Sequence, residues 1–198
     1  MKRLIVATKN KGKIAEIHGR LESLGFEVRS MADLDTEITI VEDADTFAGN
    51  AIKKATTVCE ATDYTALADD SGLEVDALGG RPGVRSARYG GEGLNDKDRF
   101  ELLLSEIRNV PTHKRSARFR ASIAFVRPGG SPVVFDGTLE GDIAFKPSGS
   151  HGFGYDPVFI PKGFEQTLAE LGPETKNQIS HRAKALDAFV EFLAREPN

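Results

Sequence analysis

Four short stretches of the chain gather residue types that bind polyanions, hard cations and planar bases. Thr8-Lys9-Asn10-Lys11-Gly12-Lys13 stands between an apolar run and a helical periodicity. Free backbone N–H groups at such a junction, with the helix dipole behind them, favour an anion. Thr8 and Asn10 bring hydrogen-bond donors, Gly12 allows close approach, and Lys9, Lys11 and Lys13 bring positive charge. The stretch lacks the full Walker pattern, which argues against an ordinary P-loop ATPase, and a lysine-rich capped turn would have the same local sequence. Asp69-Asp70-Ser71-Gly72 follows a small, apolar strand-like run. Two carboxylates there suit a hard cation such as Mg²⁺, and Glu42 or Asp43 could supply another oxygen. Neighbours on a strand point to opposite faces, so Asp69 and Asp70 are expected to do different work. An isolated acidic pair is otherwise a helix cap or tight turn.

The third stretch, Gly149 to Pro157, sets Phe153 and Tyr155 among glycines. A planar base could stack on such rings while Asp156 accepts from a base N–H, although the same residues also build sheet-edge loops. The fourth is Ser180-His181-Arg182 with Lys176 upstream. Its donors suit carbonyl oxygens, and its alternative is a capping serine followed by surface charge. Cys59, His18 and His113 lack the neighbours that chemistry would need.

Elements must position these groups. Leu4-Ile5-Val6-Ala7 reads as a buried strand, and Ile14, Ile17, Leu21 and Leu24 then recur at helical spacing up to Gly25. Phe26 to Met31 reads as a second strand. Thr46 caps a helix whose inner face is Phe47, Ala51, Ala55 and Val58. Thr65 to Ala68 reads as a strand ending at the Asp69 stretch, and a helix is expected from Asp96 to Arg108. Ser116 to Val126 alternates Ala117, Phe119, Ala121, Ile123 and Phe125 with Arg118, Arg120 and Ser122, a strand with two unlike faces. A turn at Arg127 to Gly130 leads to a hairpin partner at Val133 to Phe135, and a last helix from near Ser180 carries Ala183, Leu186, Phe189 and Leu193 inward. Strands and helices alternate early and a hairpin comes late, so the expected class is α/β, a mixed sheet flanked by helices.

The whole sets limits on function. At 198 residues, one domain over residues 1–198 is expected, and 39% hydrophobic with 28% charged residues suits a folded core. The net charge of −4 offers no general field for nucleic acid, so Arg118 and Arg120 alone make a poor case for one. One cysteine excludes an internal disulfide and fits a reducing compartment. No run approaches the roughly 20 apolar residues of a membrane span, and the N-terminus is too short in apolar residues for a signal peptide. A cytoplasmic, membrane-free protein is the expectation.

Taken together and in order, the motifs resemble the inosine/xanthosine triphosphate pyrophosphatase family. They are T-x-N-x-x-K at Thr8 to Lys13, A-D-D-S-G-L at Ala68 to Leu73, G-G-x-P-G-x-x-S-A-R-Y at Gly79 to Tyr89, G-F-G-Y-D-P at Gly152 to Pro157, and S-H-R at Ser180 to Arg182. The resemblance implies an elongated two-lobed α/β fold with an active-site cleft, a homodimer, and one or more Mg²⁺ ions per subunit. It implies triphosphate contacts at Thr8, Asn10, Lys13 and Lys54, beside Lys9, Lys11 and Gly12 read from the loop itself, a further substrate contact at Ser71, and metal ligands at Glu42 and Asp70. Asp70 is also implied as the residue that activates water. Phe153, Gly154, Tyr155, Asp156, Lys176, His181 and Arg182 resemble the base-binding set. One position departs from the pattern: Gly49 stands where the family usually has glutamate before Asn50. With Thr46 that glutamate would complete a capping box, so Gly49 should weaken this helix start and costs about 1 kcal/mol of propensity relative to alanine; had the glutamate served the metal instead, Glu42 and Asp70 must suffice with water. The expected reaction is hydrolysis of deaminated purine triphosphates (ITP, dITP, XTP) to monophosphate and pyrophosphate. A purine nucleotide sensor that binds without hydrolysis is the alternative.

Overall fold

A computed structural model describes residues 2–21, 25–34 and 37–195. In order, its main elements are β1 (Lys2–Val6), α1 (Lys11–Leu21), β2 (Phe26–Ser30), α2 (Phe47–Thr62), β3 (Thr65–Val75) and α3 (Asp96–Glu106). They continue as β4 (Ser116–Val126), β5 (Val133–Ile143), β6 (Phe159–Pro161), α4 (Leu168–Ile179) and α5 (His181–Arg195). The six strands lie in the order β2-β1-β3-β4-β5-β6. β1 runs parallel to both β2 and β3, while β5 and β6 are antiparallel, so the sheet is mixed as expected.

The chain divides into two compact units. The first comprises Met1–Asp70, Ala121–Gly137 and Arg182–Asn198, and the second Ser71–Arg120 and Thr138–His181. In the first unit β1 is buried on both sides. Ile5 and Ala7 pack with Ala51, Ala55 and Val58 of α2, while Leu4 and Val6 pack with Ile17 and Leu21 of α1 and Leu186 and Phe189 of α5. This two-sided burial follows from strand alternation, and it is why β1 reads as one continuous apolar run. In the second unit a single core joins Leu73 and Val75 of β3, Phe100 and Leu103 of α3, Ala117 and Phe119 of β4, and Tyr155, Phe159 and Leu168.

Several sequence expectations change. The expected strand at Thr65 does not stop at Asp69: β3 continues through Asp69-Asp70-Ser71-Gly72 to Val75, so the acidic pair is part of a strand and neither a cap nor a turn. β4 shows two unlike faces only as far as Arg120. From Ala121 onward every residue is buried, because Ala121, Ile123 and Phe125 join one core of the first unit and Ala124 and Val126 the other. α1 starts at Lys11, two residues inside the expected loop, and Met31 opens a 3₁₀ turn beyond β2. Leu24 lies outside the described residues. α4 had no counterpart in the sequence reading, and Ser180 proves to be its C-terminal cap, donating its backbone N–H to Lys176 at 2.9 Å.

Candidate functional site

The first unit carries a charged cluster of candidate residues. After β1 the chain turns: Thr8 N–H bonds the Val6 carbonyl at 2.9 Å and Asn10 N–H bonds Thr8 Oγ1 at 3.2 Å. Asn10 Oδ1 then accepts from Lys13 N–H at 3.1 Å, capping α1. The side-chain acceptors of Thr8 and Asn10 therefore shape the loop, and their donors, the Thr8 hydroxyl and Asn10 Nδ2, take no part in these bonds. Lys9 and Lys11 are exposed, and Gly12 is half-buried.

Lys13 is not a solvated surface charge. Its ammonium lies 2.5 Å from Asp69, which is fully buried in β3. Burial pulls Lys13 below the usual lysine range, Asp69 opposes that shift, and the charges of Arg182 and Lys54 add to it. Arg182, at the start of α5 and 2% exposed, reaches the same carboxylate, with Nε to Oδ1 at 3.1 Å and Nη2 to Oδ2 at 3.4 Å. Its Nη1 donates to Glu16 of α1. Burial alone would raise the Asp69 carboxyl, but Arg182 and Lys13 outweigh it and hold the group well below the usual range. Arg182 is held charged in turn: burial works against it, while Asp69 and Glu16 prevail.

Asp70 has separate partners, as neighbours on a strand should. Lys54 Nζ of α2 lies 3.0 Å from Asp70 Oδ1 and 3.3 Å from Glu42 Oε2, so one ammonium holds both carboxylates. Asn50 Nδ2 donates to Asp70 Oδ2 at 3.2 Å, and Asn50 Oδ1 accepts from Ala44 N–H at 2.9 Å. Asn50, completely buried, thus ties Asp70 to the segment that carries Glu42. Burial raises the Asp70 carboxyl above the usual range, and Lys54 and Asn50 only moderate the effect. Asp43 points its charge to Lys53 instead.

Thr46 caps α2 by accepting from Gly49 N–H at 3.0 Å. The glycine has a local reason here: a Cβ at 49 would stand 2.8 Å from Ala44 Cβ and 3.0 Å from Thr46 Oγ1. The Ala44 segment thus stands directly against the helix start at this position.

The second unit carries a separate, aromatic group of candidate residues. Ser71 opens it within β3, followed by Gly72, where a Cβ would stand 2.4 Å from Ser86 Oγ. Ser86 fastens the Gly79–Tyr89 motif to the strand by accepting from Leu73 N–H at 2.8 Å. Asp156 is 2% exposed and its Oδ2 accepts from Phe153 N–H at 2.9 Å and from Lys176 Nζ at 2.6 Å. Lys176 Nζ also lies 4.2 Å from the centre of the Phe153 ring. The expectation that Asp156 accepts from a base meets an oxygen already serving two donors. Tyr155 likewise belongs to the core, with its hydroxyl donating to the Ser86 carbonyl at 2.9 Å, so its ring offers little stacking surface. Phe153, Gly154 and Lys176 remain grouped, and His181 stacks on Phe119 with ring centres 4.8 Å apart.

The structure therefore groups Thr8 to Lys13, Glu42, Lys54, Asp70 and Arg182 in the first unit, and Ser71, Phe153 to Asp156, Lys176 and His181 in the second. Sequence reasoning missed Glu16 and the work of Asp69 and Asn50. Strand alternation set Asp69 apart from Asp70 but gave no sign of its partners, and Glu16 and Asn50 gave no local signal.

The chain matches the Ham1 family over residues 4–192. A Shouchella clausii protein named dITP/XTP pyrophosphatase is 50% identical to it over 98% of this chain and 97% of its own length. Two solved structures share the fold, a Staphylococcus aureus Ham1 protein at TM-score 0.90 and 38% identity, and a Coxiella burnetii HAM1 protein at 0.91 and 37%. Each alignment covers 99% of this chain and 100% of the other. With its motifs, its mixed sheet and these full-length likenesses in agreement, this chain belongs to the Ham1 family.

Proposed function

We propose that the protein hydrolyses deaminated purine nucleoside triphosphates, with ITP, dITP and XTP as substrates and the monophosphate and pyrophosphate as products. The observation that carries this reading is Asp70, a buried carboxylate raised in pKa and fixed by Lys54 and Asn50 in the same unit as a cationic loop–helix junction. A raised carboxyl is a better base than an ordinary one, which suits it to orient and deprotonate an attacking water. The names of the relatives supply the substrate class.

Lys13, Lys54 and Arg182 are already matched by Asp69, Asp70, Glu42 and Glu16. A triphosphate therefore has to bring in further positive charge, and hard oxygen donors fit Mg²⁺, which needs only one or two carboxylates besides water and phosphate oxygens. Among the described residues there is no group of three metal-binding side chains, so two protein ligands, Glu42 and Asp70, are the fitting set. When bound, the metal would draw charge from the phosphate oxygens. Lys54, Lys13 and the loop N–H groups would hold the departing pyrophosphate, and Thr8, Asn10 and Ser71 would orient the chain of phosphates.

At the base end, the Phe153 face would stack on the purine. Lys176, His181 and Arg182 would offer donors to the carbonyl at position 6, where adenine has an amino group instead. An unpaired buried polar group costs about 1–3 kcal/mol, enough for useful discrimination. Guanine shares that carbonyl, so its 2-amino group has to be rejected separately. A sensor without hydrolysis is not favoured, since a pure binder has little use for two carboxylates facing a polyanion. We further propose one enzyme domain spanning 1–198, a homodimer, in the cytoplasm; no described helix is long and apolar enough to cross a membrane. Asp70→Asn tests the reading: the fold should survive, by circular dichroism, and turnover of ITP should fall to a trace. A folded variant keeping a substantial rate would remove Asp70 from the chemistry.

A further inference from the structure

Two cations assigned above to opposite ends of the substrate meet on one carboxylate. Asp69 is wholly buried, takes Lys13 at 2.5 Å and Arg182 at 3.1 and 3.4 Å, and receives them from the start of α1 and the start of α5. Glu16, four-fifths or more buried, draws Arg182 from the other side. The Lys13 side chain is 15% exposed against 2% for Arg182, so Lys13 is the more accessible of the two cations.

We propose that Asp69 is a positioning residue that divides its charge between Lys13 and Arg182, so that Arg182 sets how readily Lys13 turns to a substrate phosphate. With Arg182 in place, part of the carboxylate is already satisfied and the guanidinium repels the ammonium. Removing Arg182 takes away the cation that competes with Lys13, and the buried carboxylate then holds Lys13 more tightly, because a buried charge without a partner is costly. Glu16 acts in the opposite sense: without it, Arg182 is released towards Asp69 and Lys13 is loosened. The inference rests on the reading that Lys13 binds phosphate, and it adds an effect of Arg182 on the phosphate end that a contact with the base would not produce.

Inorganic tripolyphosphate has no base, and calorimetric titration of the full chain with its Mg²⁺ complex isolates the effect. Arg182→Ala should weaken its binding about tenfold, and in an Asp69→Asn protein the same change should alter affinity less than about twofold, since coupled sites lose their coupling when the shared group is removed. Loss by the same factor in both backgrounds would mean that only general charge is at work and would overturn the proposal, as would no loss at all. Should Arg182→Ala fail to fold, Glu16→Gln gives the opposite sign, binding strengthened with Asp69 present and unchanged with asparagine there; equal effects in both would again overturn it. Lys13→Ala separates the two levels. If Lys13→Ala binds tripolyphosphate as tightly as the unaltered protein, or if the unaltered protein does not bind it at all, the phosphate-loop reading fails and the inference falls with it.

Discussion

Adjacent residues on β3 face different partners, and that single property of a strand separates the two jobs at this site. Asp69 is held ionised by Lys13 and Arg182, whereas Asp70, raised by burial, keeps a proton affinity closer to that of a base. In the second unit, Asp156 and Tyr155 bond Phe153, Lys176 and Ser86, and the Phe153 ring is the surface proposed to stack on the base. Phe153→Ala should therefore raise KM for ITP about five- to tenfold, in line with the roughly 1–3 kcal/mol that a base gains on an aromatic face. Its half-buried ring should cost little stability, and Phe153→Tyr should restore KM. An unchanged KM in Phe153→Ala would move base stacking elsewhere.

At the scale of elements, the sequence disclosed what periodicity and caps encode. β1, α2 with Thr46, and α5 with Phe189 inward were legible because each repeats an apolar pattern over a full face. α4 was not, since Gly172, at φ 79°, and Pro173 interrupt it and read as a loop; the usable signal was Thr167 with Glu170, a capping box. The length of β3 was hidden because Asp69 and Asp70 look like turn residues until Lys13, Arg182, Lys54 and Asn50 arrive from distant elements to pay for their burial. The start of α2 gives a test of local packing against propensity. Gly49→Ala should gain about 1 kcal/mol of helix propensity, yet lower Tm, because its Cβ would press on Ala44, whose N–H is bound by Asn50. Ala44→Gly in the same protein should recover the loss. A Tm that rises with Gly49→Ala alone would show that the 44 segment yields freely.

For the molecule as a whole, alkaline stability reports on the second unit. Burial first, then the hydrogen bond to Glu106, pushes the Tyr89 phenol from the ordinary 10 up to about 12, and burial pushes Tyr155 further. A phenol whose folded pKa is raised stays protonated while the unfolded chain ionises, so stability is lost as pH rises from about 10 through the folded value. Tyr89→Phe should flatten the fall in Tm between pH 10 and 12; an unaltered slope would contradict this. The central claim, that this Ham1 protein cleaves a deaminated purine triphosphate between its α and β phosphates, is tested most directly by the products. Purified protein incubated with ITP and Mg²⁺ and followed by phosphorus NMR should give IMP and pyrophosphate in equal amounts, with ATP turned over far more slowly. Release of IDP and orthophosphate, or no turnover of ITP, would contradict it.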